Sequence, residues 1–117
     1  MSIRPLFVVA TFAALVGCAS DPAPIEQLRL TDRAVEQAKA VGATDDVAEM
    51  ALAQSKLVEA HADMANSAFK QARMQAEQAE LDARLAEAKV LTEKSQEQLS
   101  QVDIRVTRLR KQVRDAQ

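Results

Sequence analysis

The chain is poor in the residues that build most catalytic and nucleic-acid-binding sites. Its 117 residues include one cysteine, one histidine and two glycines, with no tryptophan or tyrosine. One cysteine excludes an intrachain disulfide, and two glycines leave no Gly-rich phosphate loop. No Ser-His-Asp or Cys-His arrangement stands out. A net charge of −2 and the lack of an aromatic stacking platform argue against nucleic acid as a partner. We therefore predict neither an enzyme nor a cofactor or metal site.

The first 17 residues have the pattern of a secretory signal peptide. Arg4 precedes an uncharged run at residues 5–16, and Gly17 and Cys18 follow. The run is too short to span a bilayer as a helix, which favours a cleaved signal. The tetrapeptide Leu15-Val16-Gly17-Cys18 resembles the lipobox of bacterial lipoproteins. That resemblance implies cleavage between Gly17 and Cys18 and attachment of acyl chains such as palmitate to Cys18.

The lipobox resemblance also implies a location. Two or more acyl chains hold a protein stably on a membrane. We expect no cofactor besides this covalent lipid on Cys18. Ala19 stands where an Asp in enterobacterial lipoproteins retains the protein at the inner membrane. We therefore expect an outer-membrane protein that faces the periplasm. Residues 18–24 are expected to form a short tether that keeps the folded part close to the membrane.

The rest of the chain predicts an all-α fold organised around residues 67–116, which contain no Gly or Pro and are rich in strong helix formers. At about 100° per residue, the apolar residues of this helix form two stripes on nearly opposite sides. The alanine stripe comprises Phe69, Ala72, Ala76, Ala79, Ala83, Ala86 and Val90. The outer stripe comprises Met74, Leu81, Leu85, Ala88, Leu99, Val102, Val106, Leu109 and Val113. We predict two buried faces in the first half of the helix and one in the second.

Two shorter helices precede the long one. The first is predicted from an N-cap at Asp21 to about Val41 and ends at Gly42, and the second is predicted over residues 45–65 with Thr44 as its cap. Asn66, as a left-handed stop, and Ser67, as a cap, would separate it from the long helix; a continuous helix over residues 45–116 is the alternative. We predict a short antiparallel bundle over residues 25–90 that packs on the alanine stripe, with residues 91–117 projecting as a helix with coiled-coil character.

The projecting helix carries the candidate partner-binding residues, which are Leu99, Val102, Val106, Leu109 and Val113. Their spacing follows a heptad, interrupted by Thr92 and Ser95, and a helix with this face in water requires another chain. A parallel homodimer would place Arg105 against Arg110, so antiparallel self-pairing and a different envelope partner stay open. The basic residues of the tip are explained by a solvated face and the helix dipole. Contact with anionic lipid, or non-covalent contact with peptidoglycan, is the alternative.

The remaining residues with chemical potential have structural explanations. His61 is predicted to lie at the bundle edge, because Asp63 points away from it and no second metal donor is near. The cluster of Asp45, Asp46 and Glu49 matches the dipole at a helix start. The internal methionines, Met50, Met64 and Met74, are predicted to fill gaps in the core.

Three segments carry a family resemblance. They are residues 34–43 (AVEQAKAVGA), 53–60 (AQSKLVEA) and 76–89 (AEQAELDARLAEAK). Together with the lipobox they resemble the bacterial envelope lipoproteins classed as domain of unknown function 4398, and more distantly the murein lipoprotein. The resemblance implies a helical, lipid-anchored protein without established activity. We expect a non-enzymatic envelope lipoprotein that acts as a spacer, a scaffold or a self-associating helix. The alternative is an adaptor that docks an envelope enzyme or transporter through its C-terminal helix.

Overall fold

The computed structural model describes residues 21–117, so the predicted signal peptide, the cleavage site and Cys18 lie outside the described residues. Within residues 21–117 the chain forms three α-helices and no strand. They are α1 (Ile25–Ala40), α2 (Ala48–Ala65) and α3 (Phe69–Asp115). The all-α prediction is confirmed, and the continuous helix over residues 45–116 is excluded.

The directions of the helices follow from the contacts between them. Gln27 and Gln37 of α1 donate to Glu80 and Glu87 of α3, so α1 and α3 run the same way. The residues of α2 meet α3 in the reverse order: Glu49, near the start of α2, contacts Lys89, and the later residue Glu59 contacts the earlier residue Gln75. Helix α2 is therefore antiparallel to both of its neighbours. The start of the bundle and the free tip of α3 lie at opposite ends of the molecule.

The alanine stripe of α3 is where the other two helices pack. Its five alanines are fully buried, and Val90 is 7% exposed. Small side chains allow helix backbones to approach closely, which explains why alanine rather than leucine occupies this face. The one buried polar side chain among the described core residues, Thr31, is satisfied, since its hydroxyl lies 2.9 Å from the carbonyl oxygens of Gln27 and Ala76. The predicted packing face is confirmed.

The turn after α1 is built around Gly42, as the sequence predicts. Gly42 has a φ of 98°, its N–H donates to Lys39, and the N–H of Ala43 donates to Ala38 at 2.9 Å. These two hydrogen bonds form a Schellman motif, which satisfies the last carbonyl groups of a helix. Ala38 and Ala43 are both buried in the same core cluster, so the turn also closes one end of the core.

The turn between α2 and α3 repeats this geometry without glycine. Ser67 has a φ of 60°, its N–H donates to Met64, and the N–H of Ala68 donates to Asp63 at 2.8 Å. The break near residues 66–67 is confirmed, but the left-handed residue is Ser67 and not Asn66. A serine in this conformation carries a steric cost that glycine would avoid.

The predicted helix caps are wrong in all three cases. No side-chain cap hydrogen bond is formed at the start of α1, α2 or α3. The cap positions are occupied by Pro24, Val47 and Ala68, in place of Asp21, Thr44 and Ser67. At α2 the reason is a backbone turn, in which the N–H of Val47 donates to the carbonyl of Thr44, so that the helix begins three residues later than expected.

The outer stripe also differs from the prediction. The sequence predicts that the first half of the long helix buries both of its apolar faces, with Met74 in the core. Instead Met74, Leu81 and Leu85 are 50%, 67% and 48% exposed. Helices α1 and α2 both pack on the alanine stripe, so nothing in residues 21–117 covers the opposite side of α3.

Candidate interaction face

The candidate site is the outer stripe of α3. Each of the five predicted partner-binding residues lies on this face of the projecting helix, where every residue from 91 to 117 is exposed except the half-buried Val106. Leu99 and Val113 expose 66% and 61% of their surface. The structure brings the five onto one line, as heptad spacing requires. Their role in binding a partner stays a prediction.

The exposed face is longer than the five residues named from the sequence. It extends toward the bundle through Ala88, Leu85 and Leu81 to Met74, all of them exposed. Residues 74–113 correspond to about 60 Å of helix at a rise of about 1.5 Å per residue. The heptad pattern includes these residues. They are not predicted to bind a partner, because the sequence predicts that the bundle covers both faces of this half of α3.

Two further apolar residues of α3 are exposed but do not belong to the outer stripe. Leu91 is 45% exposed and flanks the stripe next to Thr92, while Ile104 is 57% exposed and points to the opposite side of the helix. Ile104 therefore provides an internal comparison, because it matches the stripe residues in size and exposure but not in position.

One edge of the outer stripe is bordered by α2. The bordering contacts join Gln75 to Glu59, Asp82 to Lys56, and Lys89 to Glu49. The Asp82–Lys56 ion pair has an O–N distance of 2.6 Å. The hydrogen bond from Lys89 lowers the pKa of Glu49 below its ordinary value of 4.5. These contacts fix α2 next to the stripe, with Leu52 half exposed on the same edge.

The other edge is bordered by α1. Glu80 accepts a hydrogen bond of 2.7 Å from Gln27 of α1 and one of 2.6 Å from Arg84 of its own helix. These two donors, Gln27 first, lower the pKa of Glu80 below its ordinary value of 4.5. The stripe is therefore an apolar strip between two polar edges, both of them positioned by hydrogen bonds within the bundle.

The charges are divided between the two ends of this face. The tip, residues 103–117, carries five basic side chains, which are Arg105, Arg108, Arg110, Lys111 and Arg114, against Asp103 and Asp115. Helix α2 and the turn before it carry Asp45, Asp46, Glu49, Glu59 and Asp63 against Lys56. The basic tip and the acidic bundle edge are thus separated within one chain.

The residues considered as catalytic or metal-binding candidates are paired with other side chains of the bundle. His61 lies at the bundle edge, as predicted, with Nε2 3.2 Å from the carboxylate of Asp32 and about half of each side chain exposed. The acidic cluster before α2 does not converge, because Glu49 pairs with Lys89 and Asp45 accepts from Gln54. Among residues 21–117, no group of three His, Cys, Asp or Glu side chains is placed to hold a metal ion.

None of the helices described here is both long enough and apolar enough to span a bilayer.

Comparison with known proteins gives one family and one solved relative. The profile of a family described as a domain of unknown function, DUF4398, matches residues 26–102. A crystal structure of a DUF4398 family protein from Pseudomonas aeruginosa PAO1 at 2.47 Å resolution is 60% identical, with a TM-score of 0.80. The match covers 82% of this chain and all of the crystallised chain. No curated protein matches. The matched residues include both bundle helices and most of the outer stripe.

Proposed function

Since this chain belongs to the DUF4398 family, we propose that it is a non-enzymatic, lipid-anchored envelope protein that faces the periplasm and works by association through α3. It would act as a scaffold or spacer at the outer membrane. The observation that carries the proposal is the continuous exposure of the outer stripe from Met74 to Val113. An exposed apolar face of this length, interrupted only at Gln78 and at Thr92 and Ser95, is typical of an interaction face.

The anchor half of the proposal rests on the sequence and on the entry point of the chain. The lipobox-like tetrapeptide ends at Cys18, and α1 begins only at Ile25. Arg73 of α3 donates to the carbonyl of Pro22 at 3.4 Å, which places the first described residues at the bundle end of α3. A lipid on Cys18 would hold that end at the membrane and leave the basic tip at the far end.

The non-enzymatic half is supported by the side chains themselves. Several polar side chains pair with one another between the helices, as Gln37 does with Glu87 and Lys56 with Asp82. The buried centre consists of alanine with a few larger apolar side chains and Thr31. His61 and Asp32 form an exposed pair without a third group to complete a catalytic arrangement. Such a surface suits positioning and association rather than turnover.

The anchor is tested by metabolic labelling. The full chain is expressed in a Gram-negative host with an alkyne analogue of palmitate, together with Cys18→Ser and the control Ser20→Ala. We expect label and membrane association in the wild type and in the control, and neither in Cys18→Ser. Density-gradient separation of the membranes should place the label with the outer membrane. An unlabelled wild-type protein would overturn the lipoprotein assignment.

Association is tested separately by sedimentation equilibrium of residues 21–117. A concentration-dependent oligomer that is lost on truncation after Val90 supports association through the stripe. A strict monomer would reject self-association and leave an envelope enzyme or transporter as the occupant of the face. In that case the truncated chain should stay folded and lose its partner in a pull-down.

A further inference from the structure

The polar interruption of the outer stripe lies at its centre, and the stripe is symmetric about it. Stepping outward from the midpoint between Thr92 and Ser95, one meets Ala88 and Leu99, then Leu85 and Val102. The next pairs are Leu81 with Val106 and, beyond a Gln78–Leu109 pair, Met74 with Val113. From the central place of this interruption, together with the charges of α3, we infer that two copies of the chain pair antiparallel along α3, with Thr92 facing the partner's Ser95. This inference rests on the proposed association through the stripe.

A parallel pair is disfavoured by charge. In a parallel coiled coil, the residue before the first core position of a heptad (g, before a) faces the residue after the second core position (e, after d) of the partner's next heptad. The charged pairs created this way are Glu77 with Asp82, Arg84 with Lys89, and Arg105 with Arg110. All three are like-charged, and a parallel pair would also bring two basic tips together. No charged pair of this type compensates.

The antiparallel register is set by the two hydroxyl residues. Shifting the pair by one heptad would place Thr92 against Ala88 or Val102 of the partner, and a hydroxyl on an apolar partner costs free energy. In the proposed register Thr92 and Ser95 meet at the two-fold axis, twice. The Thr92 hydroxyl already donates to the carbonyl of Ala88 at 2.7 Å, so its burial leaves no unpaired donor. The apolar residues then face apolar residues except at Gln78.

The same register brings the basic tip to the acidic edge of α2. The partner's Arg110 reaches the level of Gln75, the residue that contacts Glu59, and the partner's Arg114 lies one turn further along, toward Asp63. The basic tip of each copy therefore lies along the acidic α2 edge of the other. The two bundles do not meet, because residues 74–90 of each copy lie alongside residues 97–113 of the other.

Beside the core the register also places Arg84 level with the partner's Arg105 and Asp82 level with the partner's Asp103. Arg84 and Asp82 each already pair with an opposite charge of their own chain, Glu80 and Lys56, which reduces the cost of these like-charged neighbours.

The arrangement is tested with single cysteines in residues 21–117, which contain no native cysteine. The crystallised relative is matched in full by 82% of this chain, so a chain of this length folds. Leu81→Cys and Val106→Cys are prepared separately, with a size tag on one of them, and oxidised alone and as a mixture. Ile104→Cys is the control, since its side chain points away from the stripe.

The antiparallel pair predicts a disulfide only in the mixture, because residues 81 and 106 face each other. Cross-linking of Val106→Cys with itself, or no cross-link in a mixture that sediments as a dimer, would overturn the inference and leave the proposed self-association standing. A monomer in sedimentation would reject both, while acylation of Cys18 would still be decided by the labelling experiment.

Discussion

Lys94 of α3 donates a hydrogen bond of 2.5 Å from Nζ to the backbone carbonyl of Val41, just past the last residue of α1. A cation at this position satisfies a terminal carbonyl and interacts favourably with the negative end of the α1 dipole. The contact also carries the interaction between α3 and the bundle one turn beyond Val90. It lies next to Gly42, the residue on which the turn depends.

We expect Gly42→Ala to destabilise the bundle. At a φ of 98°, an added Cβ is sterically unfavourable, whereas its distance of 3.4 Å from Nζ of Lys94 is an ordinary contact. The left-handed conformation alone costs about 1–2 kcal/mol for a residue with a Cβ. Urea unfolding followed by circular dichroism measures the change in the free energy of unfolding. An unchanged midpoint would contradict the role assigned to this turn.

We expect the opposite sign at the second turn, where Ser67→Gly should stabilise the chain. Ser67 has a φ of 60°, and glycine removes its steric penalty, a gain of about 1 kcal/mol. The neighbouring Asn66→Gly is the matched control, because Asn66 has a φ of −85° and glycine offers no advantage there. Equal effects at the two positions would argue against the observed geometry.

The alanine stripe should resist enlargement. Ala79 is fully buried against the other helices, so Ala79→Leu has no space and should cost about 1–3 kcal/mol. The comparison is Gln78→Leu, one residue earlier on the exposed side, which should leave bundle stability unchanged and strengthen association. Unfolding and sedimentation of the two variants separate the two faces of α3. Tolerance of leucine at residue 79 would contradict close packing of the helices.

Association should be lost when a charge is placed in the outer stripe. Val106→Glu would bury a carboxylate against apolar residues, and we expect it to weaken dimerisation by at least about tenfold. Ile104→Glu adds the same charge two residues away on the opposite side and should change dimerisation little. If both variants dimerise equally well, the outer stripe is not the contact surface.

Stability should also depend on pH through two carboxylates. The pKa values of Glu49 and Glu80 lie below the ordinary 4.5, so the folded chain binds these protons less readily than the unfolded chain. Their contribution is complete above about pH 4.5 and is lost as the pH falls through the lowered pKa values. Glu80→Gln should therefore make the free energy of unfolding less dependent on pH in this acid range. An identical slope in the variant would contradict the assignment.

The sequence was sufficient where one residue type or a simple period decides the structure. The spacing of Ala72, Ala76, Ala79 and their neighbours identified the buried face, and Gly42 identified the first turn. It was insufficient where a contact between helices decides. Ser67 takes the left-handed position because of where α2 must end, and nothing local distinguishes it from Asn66.

Periodicity also does not determine whether the outer stripe is buried or exposed. A heptad pattern shows that Leu81 and Leu85 share a face, but it does not show whether α1 and α2 reach that face. The alanine stripe takes both helices, since small side chains give them the closer approach. The result is that the candidate interaction face, residues 74–113, is nearly three times as long as the segment 99–113 that holds the five residues identified from the sequence.

The shared direction of α1 and α3 has a consequence for orientation at the membrane. Each chain enters its bundle near Arg73, so in an antiparallel pair the two entry points lie at opposite ends, about 60 Å apart at about 1.5 Å per residue. With a lipid on each copy in one leaflet, the paired helices cannot stand upright. They would be anchored to the bilayer at both ends and lie with their long axis parallel to its plane.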